Sequence, residues 1–181
     1  MVSTPSTMVE LGTKAPNFDL LNPSSGQTMT RDELVGPKGL LVIFMCNHCP
    51  YVKHILSGLR SLASDYQNTE LAIVGISSND VVNYPDDAPE KMAELDLGFP
   101  YLYDESQEVA KAYGAVCTPD IFLFNGSLNL VYRGQFDSSR PGNNEPVTGL
   151  DLRMAMDCVL EDKEVSAEQI PSVGCNIKWK N

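Results

Sequence analysis

Positive charge is scarce in this chain of 181 residues: 13 Lys and Arg stand against 24 Asp and Glu, a formal net charge of −11. So acidic a chain excludes nucleic acid and an anionic membrane surface as partners, because both need a basic face. It suits solubility, and docking to a basic patch on a partner protein. Long apolar runs are missing as well. The longest, Leu40 to Met45, is far too short to span a bilayer. Met1 to Gly12 holds neither a basic residue nor an apolar run, which reads as neither signal nor transit peptide, so a cytoplasmic location is expected. There is no repeat, low-complexity tract or linker, and the length suits one core, so residues 1–181 are expected to form a single domain. Within it, residues 1–11 are expected to be flexible and residues 166–181 to pack as a tail on the body. Cysteine, five in all, is odd in number and not spaced as a secreted disulfide framework. In a reducing compartment that usage points to catalysis or metal binding.

What is present centres on Cys46-Asn47-His48-Cys49. It follows the run Leu40-Leu41-Val42-Ile43-Phe44-Met45, which reads as a strand buried on both faces, of the kind found in a parallel sheet. Pro50 comes next, and then Val52, Ile55, Leu56, Leu59, Leu62 and Tyr66 form an apolar stripe at helical spacing. The C-x-x-C pair therefore stands where a buried strand hands over to an amphipathic helix, and helix-start amides favour a thiolate.

Along the rest of the chain, Pro23 to Gly26 reads as the turn of a small N-terminal hairpin, and Thr30 to Leu34 as a helical turn stopped by Gly36-Pro37. Leu71 to Ile76 is a second apolar strand, with the polar loop Ser77 to Pro85 at its carboxyl end. Asp87 and Glu90 resemble a capping box for a helix carrying Met92 and Leu95. Phe99 to Tyr103 suits a short edge strand, and a helix over Gln107 to Tyr113 has Asp104 or Ser106 as cap and Gly114 as stop. Ile121 to Phe124 and Leu128 to Tyr132, separated by Asn125-Gly126, read as a hairpin. Leu152, Ala155, Met156 and Val159 set up a closing helix, and Ser166 to Asn181 shows no periodicity. A parallel start with an antiparallel finish, and helices on both faces, gives an α/β sandwich.

Two cysteines three apart at a helix start share a face and can close a disulfide with little backbone movement. The first is usually the more exposed, so Cys46 is assigned as attacking thiolate and Cys49 as resolver. His48 between them would, as a cation, lower the Cys46 pKa and make the disulfide more oxidising. A zinc site would want four ligands; the chain offers Cys46, Cys49, His48 or His54 and the distant Cys175, with no second close pair, so no metal is expected. About seventy residues on, Thr118-Pro119 opens another apolar strand, where a proline needs a special turn and is sometimes cis. Cys117 and Cys158 read as packing cysteines, Arg133 as an ordinary exposed charge over the alternative that it reaches toward the site, and His54 as a partly exposed helix histidine. Trp179 reads as a residue that pins the tail by burial. Cys175, in the non-periodic tail, is a possible third redox thiol.

The C-x-x-C at a strand-to-helix junction, with Thr118-Pro119 opening a hairpin strand, resembles the thioredoxin superfamily. Gly12-x-x-Ala15-Pro16-x-Phe18-x-Leu20 resembles the opening of its peroxiredoxin-like branch, the alkyl hydroperoxide reductase and thiol-specific antioxidant family. Gly174-Cys175-Asn176-Ile177-Lys178-Trp179-Lys180 resembles the tail of a bacterial group of redoxin-type proteins. The resemblance implies a thioredoxin-like three-layer α/β/α sandwich with a mixed central sheet, an N-terminal extension and a helical insertion. It implies a cis Thr118-Pro119 bond facing the cysteines, with both residues binding substrate and the residue before the proline pairing with its backbone. No cofactor is implied; the expected partners are a protein or small disulfide or a peroxide, and a thiol reductant such as a thioredoxin or glutathione. Two departures stand out. Ile43 occupies the place of the threonine that helps peroxiredoxins hold peroxide, and Leu40 that of thioredoxin's buried acid, so proton transfer to Cys49 would fall to water, Lys53 or His54. The leading expectation is a thiol–disulfide oxidoreductase cycling Cys46 and Cys49. The alternatives are a thiol peroxidase with Cys46 peroxidatic and Cys49 or Cys175 resolving, and a non-catalytic binding or metal-carrier module.

Overall fold

The computed structural model describes residues 3–181. The run after Lys38 forms β4 (Gly39–Phe44), and all of it is buried. Its side chains alternate between two cores: Leu41 and Ile43, with Met45, enter one, while Leu40, Val42 and Phe44 enter the other. That is the period of a strand covered on both faces. β4 pairs in parallel with β5 (Leu71–Ser77) and antiparallel with β8 (Asp120–Asn125).

Helices fill both faces. Against the first core lies α2 (Pro50–Tyr66), with Val52, Ile55, Leu59, Leu62, Ala63 and Tyr66 buried. Leu152, Ala155, Met156 and Val159 of α5 (Leu150–Leu160) join it. No side chain caps the start of α2. Burial of its stripe, about 1.5–3 kcal/mol for each fully buried large side chain, holds it instead. Across the sheet, α4 (Glu108–Tyr113) supplies Ala110 and Tyr113 to the second core and ends on Gly114 at φ +66, a left-handed cap. A short α1 (Arg31–Leu34) carries a capping box between Thr30 and Glu33. With β2 (Asp19–Asn22), β3 (Gln27–Thr30), β6 (Tyr101–Tyr103) and β9 (Leu130–Tyr132), the described residues make a seven-stranded mixed sheet, order β3-β2-β6-β5-β4-β8-β9. None of the described helices is long and apolar enough to cross a membrane.

A second, three-stranded sheet binds the two chain ends together. β1 (Ser3–Pro5) pairs antiparallel with β10 (Val173–Asn176), which pairs antiparallel with β7 (Cys117–Thr118). Residues 1–11 are thus not uniformly flexible. Ser3–Pro5 completes the ladder of β10, and the buried Ser6 donates to Asp120 Oδ1 at 2.7 Å; Met1 and Val2 lie outside the described residues. The expected edge strand is also corrected, since β6 sits between β5 and β2. The hairpin at Asn125-Gly126 is longer than two residues because Asn125 Oδ1 accepts the amides of both Ser127 and Asn129, with Leu128 at φ +60. Trp179 does not pin the tail, being 40% exposed. Hydrogen bonds do so: the Lys178 amide donates to Asn79 Oδ1, the Lys180 amide to Gln107 Oε1, and the Asp80 amide to the Lys178 carbonyl.

Candidate active site

The site forms where β4 ends. The Met45 amide still donates to the Ile76 carbonyl of β5, so the turn that follows leaves the sheet only at Cys46. Pro50 is tolerated at the first helical position, where its missing N–H has no intrahelical acceptor, and this makes Cys49 the N-cap. Neither sulfur is open to solvent: Cys46 is 1% and Cys49 0% exposed. The expected difference in exposure is absent, and access is set instead by what flanks each sulfur.

β7 delivers Thr118 to both. The Thr118-Pro119 bond is cis. Cys46 Sγ lies 3.5 Å from Thr118 Oγ1, and the Cys49 thiol donates to the Thr118 carbonyl at 3.2 Å. The interaction between the two neighbouring sulfurs splits them in acidity. It lowers Cys49, to about 4, and raises Cys46, whose rise is reinforced by burial and by the Asp87 carboxylate. The Thr118 carbonyl opposes that split, because it is an acceptor that a Cys49 thiolate cannot use. The first proton to leave therefore belongs to the pair, which carries one thiolate shared between two sulfurs.

Asp87 organises the turn. In place of capping α3 (Pro89–Ala93), whose N-cap is Ala88 with no side-chain bond, its fully buried carboxylate faces the cysteine loop. Oδ1 accepts the amides of Asn47 at 2.7 Å and His48 at 3.0 Å; Oδ2 accepts Asn79 Nδ2 at 2.9 Å and meets His48 Nδ1 at 2.5 Å. A carboxylate with four acceptor positions is filled by four donors. The polar demand of the exposed turn outweighs the local preference for a helix cap. His48 Nδ1 also lies 3.9 Å from Cys46 Sγ, and its ring stacks on Tyr84 with centroids 5.3 Å apart. His48 thus approaches Cys46 as half of a His–Asp pair and not as a lone cation. Tyr101 completes the turn by donating to Asn47 Oδ1 at 3.1 Å. Ligand atoms of Cys46, His48 and Asp87 lie within 4.8 Å of one another, but a cation there would have to displace donors already bonded to Asp87.

Below Pro119 the loop is fixed by a buried ion pair. Arg133, fully buried rather than an exposed charge, places Nη2 3.2 Å from Asp120 Oδ2 and donates Nε to Ser6 Oγ at 3.0 Å. Its guanidinium also lies 4.1 Å above the Phe122 ring. Burial alone would be costly for such a charge, so partner, hydroxyl and ring together offset desolvation. Cys117 points its sulfur at the Pro119 carbonyl and packs, and burial raises its pKa. Cys158 lies half-buried on α5, away from the pair. Cys175 does reach the site. It pairs with Thr118 in the β10–β7 ladder and shares a hydrogen bond with Cys49. The Thr118 backbone, expected to pair with a substrate backbone, is therefore paired with the chain's own tail; what Thr118 offers Cys46 is its hydroxyl.

Asp87, Asn79, Tyr101 and Asp120 were not legible as site residues, and neither was the pairing of Arg133 with Asp120. The usable signal was position: Asn79 and Asp80 stand just beyond the carboxyl end of β5, where open α/β sheets gather their functional side chains.

The AhpC/TSA family description matches residues 11–133. Two solved structures span nearly the whole chain. An uncharacterized conserved protein from Geobacillus kaustophilus is 48% identical, with TM-score 0.97, over 99% of this chain and 97% of that one. A hypothetical protein from Sinorhizobium meliloti 1021 is also 48% identical, with TM-score 0.95, over 98% of each chain. The thioredoxin domain of a thiol-disulfide oxidoreductase from Bacteroides vulgatus shares the fold at 16% identity and TM-score 0.58, over 82% of this chain and 99% of that one. No curated protein matches. With its mixed sheet, two helical layers and cysteine pair at the end of β4, the chain has a thioredoxin-like fold and belongs to the AhpC/TSA family.

Proposed function

We propose that the protein is a thiol–disulfide oxidoreductase that cycles Cys46 and Cys49 between dithiol and disulfide. The observation that carries this reading is that Thr118 contacts both sulfurs at the start of α2, Cys46 Sγ through its hydroxyl at 3.5 Å and Cys49 Sγ through its carbonyl at 3.2 Å. Cys46 is the attacking sulfur. It lies beside half-buried His48, whose ring stacks on the partly exposed Tyr84, whereas Cys49 is enclosed by the Thr118 carbonyl and Cys175. The pair's one thiolate, on Cys46 when Cys49 holds the shared proton, attacks one sulfur of a substrate disulfide. As the Cys46–substrate bond forms, the substrate S–S bond breaks and the far sulfur leaves as a thiolate. Cys49 then loses its proton and attacks Cys46 Sγ. The second substrate sulfur is released, and the internal disulfide closes. The substrate has gained the two electrons that the pair lost, and a thiol reductant such as glutathione or a thioredoxin restores the dithiol. Ile43 supports this reading over peroxide reduction: at its position a hydroxyl would be needed to hold peroxide, and its side chain is fully buried among apolar residues.

The test is a titration in glutathione redox buffers with mass-spectrometric mapping of disulfides. A reversible two-electron transition with a Cys46–Cys49 linkage is expected. Steady peroxide consumption driven by a thiol reductant, lost in Cys46→Ser, would replace this reading with a thiol peroxidase. Stoichiometric metal in the purified protein with no disulfide on mild oxidation would replace it with a metal carrier.

A further inference from the structure

We propose that Cys175 is a third redox thiol, forming a disulfide with Cys49 as an alternative to Cys46–Cys49. This rests on the dithiol cycle described above. Three independent features bring Cys175 to the pair. Its partner across the β10–β7 ladder is Thr118, and directly opposed residues of an antiparallel pair project to the same face. Thr118 Oγ1 faces Cys46, so Cys175 projects toward the cysteine turn. Its side chain is in hydrogen-bond contact with Cys49. And Gly174 removes the obstacle to close approach: a Cβ there would stand 1.9 Å from the Thr118 carbonyl oxygen and 3.0 Å from the Pro119 nitrogen. The strand that carries Cys175 is therefore seated against the loop that carries Thr118. Cys117, one residue before Thr118, turns its sulfur to the Pro119 carbonyl and makes no hydrogen bond with Cys49.

In the exchange, Cys175 gives up its proton and its sulfur attacks Cys49 Sγ in the Cys46–Cys49 disulfide. The Cys49–Cys175 bond forms as the Cys46–Cys49 bond breaks, and Cys46 departs as a thiolate that takes up one proton. The protein neither gains nor loses electrons. The oxidation passes from the sulfur beside His48 to the Cys49–Cys175 pair, and Cys46 stands again as a thiol. The local electrostatics favour the order of events. In the dithiol, burial and then the Cys49 sulfur hold Cys175 up at about 12. Once Cys49 is in a disulfide its thiolate is gone, and the Cys175 proton leaves more readily.

The experiment equilibrates wild type and Cys46→Ser with glutathione redox buffers, quenches in acid, alkylates, and maps linkages by mass spectrometry; circular dichroism checks that the variant is folded. Cys46→Ser is expected to carry a Cys49–Cys175 disulfide. Wild type is expected to hold both linkages in a ratio that does not change with the glutathione ratio, since the two forms are isoelectronic. The proposal is overturned if folded Cys46→Ser leaves Cys175 alkylated under every buffer, with Cys49 a thiol or glutathionylated, while wild type still forms Cys46–Cys49. If wild type forms no Cys46–Cys49 disulfide, the dithiol cycle falls and the exchange with it. A Cys175→Ser variant keeping Cys46–Cys49 as its one linkage separates the two readings further.

Discussion

Replacing Asp87 by Asn removes one charge from the site and leaves the shape nearly unchanged. The Asn side-chain oxygen can still accept the Asn47 and His48 amides. Its NH2 group, however, meets the Asn79 amide and the His48 ring, which both contributed to the carboxylate. Two hydrogen bonds are lost in a fully buried place, at roughly 1–3 kcal/mol for each stranded donor, or about 2–4 kcal/mol if Asn79 partly turns away. For a chain of this size that lowers Tm by roughly 4–16 °C. The redox effect has the opposite sense. The Asp87 carboxylate raises the Cys46 pKa, so Asp87→Asn lowers it, stabilises the reduced state and shifts the disulfide to a less negative potential, by roughly 30 mV per pKa unit. The assays are urea unfolding and a glutathione titration, read with the ultraviolet absorbance of the thiolate. A variant that stays folded with an unchanged midpoint and an unchanged thiolate titration refutes the electrostatic role given to Asp87. His48→Ala provides the mirror image: Asp87 keeps its charge and loses its partner, so the potential becomes more negative.

A pH titration of the reduced protein should show one thiolate in the Cys46/Cys49 pair across the neutral range, lost on acidification toward about 4, with the second appearing only above the ordinary thiol range. Loss of the signal near the value of a free thiol would contradict the shared proton. Gly174→Ala forces β10 away from the Thr118 carbonyl and costs about 1–3 kcal/mol, measured by denaturant unfolding; an unchanged midpoint means the approach is looser than 1.9 Å implies. Arg133→Met strands the buried Asp120 and should destabilise by roughly 3–5 kcal/mol. Burial already raises the Asp120 pKa. Favourable protonation of this kind is present at low pH and lost as pH rises through the folded pKa, so the deficit should shrink on acidification. Unfolding measured across acid to neutral pH checks that sign.

Local pattern sufficed for much of this protein. Six apolar residues ahead of two cysteines specified a strand with two buried faces, and a stripe at helical spacing specified α2, because side-chain periodicity is a property of the segment itself. The cysteine pair and Thr118-Pro119 could be matched across about seventy residues because each bore its own chemical sign. Nothing in the segment around Asp87 reported that its carboxylate would leave a helix start to hold four donors from β4's turn and β5's loop. The same holds for Arg133, whose neighbours Asp120 and Ser6 come from distant parts of the chain. The contact of Cys175 with Cys49 depended on β10, from the far end of the sequence, pairing with β7 on one side and with β1 on the other. Periodicity and turn chemistry act between near neighbours. Which buried polar group meets which partner depends on the assembled sheet, because only the folded chain brings those donors and acceptors within bonding distance.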